Sequence, residues 1–107
     1  MIDSDHDPHA RRAEIHYTRE MGLDHRDFFR LLPRAMGSQD YRVDRNEVHV
    51  QVGEGSLLIS IGPEQVRRIA LLALPYCEVS FTFRDVTEAE QQGFKAHFDL
   101  HYQRGGG

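Results

Sequence analysis

His97 and His101 stand four residues apart as H-x-x-x-H. On a helix that spacing puts both imidazoles on one face, which is how helices supply two zinc ligands. No Glu adjoins His97, so the metalloprotease signature is absent. A third ligand would have to come from elsewhere in the chain, with His16, His49 and Cys77 as the candidates. The competing reading is structural: His101 fills an aromatic stripe with its nitrogens satisfied, and His97 flanks it. That reading is favoured, because a structural zinc takes four ligands and the sequence displays two. No cofactor is expected, and zinc on His97 and His101 is the one exception worth a test.

Cys77 is the single thiol. Beside a histidine it would be a nucleophile. Its neighbours argue otherwise, because Cys77 alternates with Val79 and Phe81, and a thiol on an apolar strand face behaves as a small hydrophobe. Asp3, Asp5, His6, Asp7 and His9 could also hold a metal. They lie in a polar stretch, residues 1–12, read as a disordered arm that offers no preformed geometry. Arg26, Arg30 and Arg34 recur every four residues. Such a row can grip phosphate or carboxylate, but no aromatics are interleaved for base stacking, so a solvated helix face is expected.

The elements that must position these groups follow from periodicity. Cys77–Arg84 alternates apolar and polar residues, a half-buried strand. Thr87-Glu88-Ala89-Glu90 is a capping box. After it Phe94, Phe98 and Tyr102 fall four apart on one helical stripe, so a helix over about 87–104 covers the strand. Upstream, Ile15, Tyr17 and Met21 alternate in a first strand, with Arg19 on the same side. Leu23-Asp24 opens a helix with Asp24 as N-cap, Phe28, Leu32, Ala35 and Met36 as its apolar face, Pro33 as a kink and Gly37 as the stop. Tyr41–Val52 and Leu57–Ile61 read as strands joined by turns at Asp44–Asn46 and Gly53–Gly55. Gly53 and Gly55 lead into a strand, not a helix, so they do not make a dinucleotide loop.

Residues 63–74 are ambiguous. Pro63 with Val66, Ile69, Ala70 and Ala73 fits a helix. Yet Ile69–Leu74 is apolar at every position, and a helix apolar all round needs a deeper core than a chain of 107 residues supplies. A buried central strand, turning at Pro75-Tyr76 into Cys77–Arg84, is the preferred reading. The expected fold is therefore α+β: a mostly antiparallel meander of about five strands with two helices packed on one face. The alternative is a ferredoxin-like βαββαβ order with an added C-terminal helix. Residues 13–104 form one domain, followed by a flexible Gly105–Gly107 tail. Arg104-Gly105-Gly106 resembles the end of ubiquitin-like carrier proteins over those few residues. Those tails leave a strand, whereas this one follows a helix, so a spacer is expected.

The net charge of −4 argues against a general nucleic-acid binder. Ile69–Leu74 is far shorter than the ~20 residues that span a bilayer, and no apolar leader opens the chain. With one cysteine, a cytoplasmic location is expected. The outer sheet face lacks the aromatics of an RNA-binding sheet. Two function classes remain. One is a non-catalytic interaction domain that self-associates, a homo-oligomer joined through Ala70, Leu72 and Leu74 on the uncovered sheet face. The other is a small metal-dependent or thiol enzyme using His97, His101 and Cys77.

Overall fold

The computed structural model describes residues 10–106, with side chains described to residue 102. Alternating apolar residues make six strands: β1 (Arg11–Met21), β2 (Tyr41–Asp44), β3 (Glu47–Val52), β4 (Gly55–Ile61), β5 (Gln65–Ile69) and β6 (Leu72–Thr87). Two helices join them, α1 (His25–Met36) after β1 and α2 (Glu88–Gly106) after β6. The order across the main sheet is β1-β6-β4-β3-β2, all antiparallel, and β5 pairs with β6 away from that path. The fold is thus α+β with two helices on one face of an antiparallel sheet, as the periodicity implies.

The helices form because their ends are specified locally. The Asp24 carboxylate accepts from the Asp27 N–H at 2.8 Å and caps α1. Pro33 is accommodated inside the helix, which continues to Met36 and stops at Gly37, with φ at +60°. The capping box of α2 is complete: Thr87 Oγ1 accepts from the Glu90 N–H at 3.0 Å, and Glu90 Oε1 accepts from the Thr87 N–H at 2.9 Å.

Phe28, Leu32 and Met36 of α1 and Phe94, Phe98 and Tyr102 of α2 are buried, and they meet Cys77, Val79, Phe81 and Phe83 of β6. Phe81 stacks on Tyr17 at 5.0 Å and meets Phe98 edge-on at 5.3 Å, joining β1, β6 and α2 through three rings. Arg19 points to the same side, where its guanidinium pairs with Asp99 of α2. Its stem covers the core edge while its charge is neutralised.

Several expectations are corrected. The sheet is not a simple meander of five strands, because β1 closes onto the last strand, β6, over the register Arg11↔Thr87 to Met21↔Cys77. Residues 11 and 12 belong to β1 and not to a disordered arm, while residues 1–9 and 107 lie outside the described residues. Residues 63–74 form no helix, which removes the ferredoxin-like alternative. Nor do they form a buried central strand. The turn falls at Ala70-Leu71, between β5 and β6, and Pro75 lies inside β6. α2 runs on through Gly106, so residues 105 and 106 are helical.

Candidate functional site

Sheet parity decides what the candidate ligands can do together. Cys77 is fully buried on the helix-facing side of β6. Burial pushes its thiol pKa up, and the nearby charges of Glu64 and Asp24 push it further, which disfavours the nucleophilic thiolate. His16 and His49 lie on the opposite, outer face, where His16 Nδ1 meets Thr82 Oγ1 at 2.8 Å and His49 Nε2 lies 3.4 Å from Glu47 Oε1.

His97 and His101 are neighbours, their ring centroids 4.7 Å apart. The Nε2–H of His97 donates to the Arg34 carbonyl oxygen at 3.2 Å, so this side chain caps the C-terminal end of α1. Cys77 pairs with Met21, just before the opposite end of α1. Arg34 lies ten residues beyond the N-cap Asp24, a rise of about 15 Å along the helix. His97 and His101 are therefore brought together, and His16, His49 and Cys77 are not brought to them. Among the described residues no group of three His, Cys, Asp or Glu side chains could hold a metal ion. The candidate ligands Asp3, Asp5, His6, Asp7 and His9 lie outside the described residues.

The unusual surface is elsewhere. β5 and the first five residues of β6 form a two-stranded arm. Its flanks end early: β1 pairs no further than Cys77 and β4 no further than Val79. Beyond those positions no strand or helix among the described residues covers the ribbon, so its apolar residues are exposed. Leu71, at the turn, is 101% exposed, Leu72 60% and Leu74 42%. Val66 and Ile69, which sequence reasoning did not place at an interface, are 55% and 53% exposed. The expected triplet Ala70, Leu72 and Leu74 is resolved into two parts. Leu72 and Leu74 do face the outer side, while Ala70 occupies the turn at φ +54°. Ile69, Leu71 and Ala73, the alternate positions of the same run, are exposed too.

The base of the arm is braced. Arg67 donates two hydrogen bonds to the Glu20 carboxylate, at 3.0 and 3.1 Å, and its guanidinium lies 4.3 Å from the centroid of the Tyr76 ring. Tyr76 Oη donates to Gln65 Oε1 at 3.1 Å. The bidentate geometry holds the ribbon against β1 at a defined angle. An isolated two-stranded ribbon is marginal in water, so this brace bears directly on whether the arm keeps its shape. Its edges are guarded: Pro75 has no N–H to offer on β6, and Arg67 and Arg68 place charge along β5. That disfavours strand addition and leaves the apolar side chains as the exposed feature of the arm.

No helix among the described residues is long and apolar enough to cross a membrane. No protein-family model, curated protein or solved structure matches the chain.

Proposed function

We propose that this chain is a non-catalytic interaction module that self-associates through the β5–β6 arm. One observation carries the reading: five large apolar side chains, Val66, Ile69, Leu71, Leu72 and Leu74, stand exposed on one braced ribbon. The register puts Ile69, Leu72 and Leu74 on one face of the ribbon, with Leu71 at its tip and Val66 on the other face. The patch on the first face and tip is on the order of 400 Å², a size that on monomers is often functional. A stable interface takes ~800 Å² from each partner, so polar neighbours of the arm must join it. A second copy is the occupant that supplies a matching surface without any further assumption. An isologous pair would set Ile69, Leu72 and Leu74 against the same residues of its partner. The net charge of −4 disfavours nucleic acid and anionic membrane as occupants. The single buried thiol suits a reducing compartment, and the proposed location is the cytoplasm.

Light scattering tests the proposal. The wild type should be dimeric at micromolar concentration, and Leu72→Glu and Leu71→Glu should be monomeric with the same circular dichroism spectrum. A wild-type monomer rejects self-association. A dimer that survives both substitutions places the interface away from the arm.

A further inference from the structure

The outer sheet face carries a second feature, independent of the arm. The pairing registers align His16, Thr82, Leu58, His49 and Arg42 in one row across β1, β6, β4, β3 and β2. The adjoining row holds Glu14, Arg84, Ser56 and Gln51. Where these rows reach β2 the surface forms a shallow, open concavity of about 470 Å³, a volume in the range of small-molecule sites. Polar side chains converge there from Arg42, His49, Gln51, Ser56, Thr82 and Arg84, and Leu58 supplies an apolar contact between them.

The charge there runs against that of the whole chain. Two guanidinium groups line the cavity against one carboxylate, Asp40, in a molecule of net charge −4. Arg84 is paired with Glu14 at 3.3 Å, but both side chains are more than half exposed, and such a pair is readily exchanged. Arg42 has no hydrogen bond or ion pair among the described residues. It sits opposite His49 on the edge strand, whose entry is held by the Gln51 N–H donating to the Asp40 carbonyl at 2.9 Å. Planar guanidinium groups favour flat or tetrahedral oxyanions that accept two hydrogen bonds at once. The volume exceeds that of a bare phosphate, leaving space for an organic body against Leu58.

We propose that this concavity binds a small organic oxyanion, with its phosphate or carboxylate on Arg42 and Arg84 and its body on Leu58. Along β6, Thr82 lies eight residues from Leu74, about 26 Å of strand, so the site is separate from the arm and stands or falls without it.

An amide NMR titration of the full chain with phenyl phosphate tests this. Shifts should concentrate on Arg42, His49, Gln51, Ser56, Leu58 and Thr82. Arg42→Gln should weaken binding roughly tenfold while leaving the urea midpoint unchanged, since Arg42 is exposed on an edge strand. Benzoate and inorganic phosphate, titrated in parallel, identify the head group: saturable binding of either at the same residues supports the site. Absence of saturable shifts up to about 10 mM of every probe overturns the proposal. So do shifts centred on Arg26, Arg30 and Arg34, equal binding of benzyl alcohol, or binding that Arg42→Gln leaves unchanged.

Discussion

Gly53 and Glu90 offer a sharp test of how the sheet and α2 are joined. Gly53 lies in the β3–β4 turn at φ +58°, and the Glu90 carboxylate rests against it, so a Cβ added there would overlap Glu90 Oε2. The overlap is with the far end of a flexible side chain, and Glu90 can swing away. Doing so breaks its hydrogen bond to the Thr87 N–H and opens the capping box. Gly53→Ala therefore carries two costs. The left-handed backbone costs an L-residue about 1–2 kcal/mol, and loss of the cap partner adds about 0.5–1 kcal/mol. In a Glu90→Ala background the second cost is already spent, leaving the backbone term alone. The double mutant should be less destabilised than the sum of the single mutants by about 0.5–1 kcal/mol, just above the scatter of independent sites. Urea titration of the four proteins, followed by circular dichroism, measures this. Strict additivity would refute the placement of Glu90 on the turn. A double mutant worse than the sum would refute the steric account altogether.

Phe81→Ala or Phe98→Ala should destabilise by about 3–5 kcal/mol, because both rings are buried at the junction of β1, β6 and α2. A loss below about 1 kcal/mol in urea would contradict the packing. The arm should loosen in acid. The hydrogen bond from Arg67 holds the Glu20 carboxyl below its ordinary range. The brace is thus intact above the ordinary carboxylate value and lost as pH falls through the depressed one. Amide exchange in residues 65–76 should quicken in that acid range, and Glu20→Gln should show the same quickening at neutral pH. At alkaline pH, burial raises the pKa of Tyr102, whose hydroxyl donates to the Phe28 carbonyl at 2.7 Å. Stability should hold up to about pH 10 and decline above it, as the unfolded chain ionises first. Tyr102→Phe should cost about 1 kcal/mol at neutral pH and flatten the alkaline decline.

Local chemistry was legible in the residues themselves. The Asp24 cap, the Thr87–Glu90 box, the Gly37 stop and the alternation of Cys77, Val79, Phe81 and Phe83 each involve groups a few positions apart. Their energetics are settled by backbone geometry before any distant contact forms. The same holds for the β3–β4 hairpin, whose strands are joined by a short turn.

What only the tertiary structure decided depends on where other strands end. An apolar run such as Ile69–Leu74 reads as buried because burial is where such residues gain most. Whether it is covered depends on β1 stopping at Cys77 and β4 at Val79, a matter of lengths set far away in the chain. The pairing of β1 with β6 joins residues more than fifty positions apart, and no local period encodes it. His97 looks like half of a metal site in sequence and caps α1 in space, because its partner is a backbone carbonyl, and backbone carbonyls are the same in every sequence. The outer-face concavity is hidden for a related reason. Arg42, Ser56 and Arg84 come from three strands, and only the sheet register brings them to one surface.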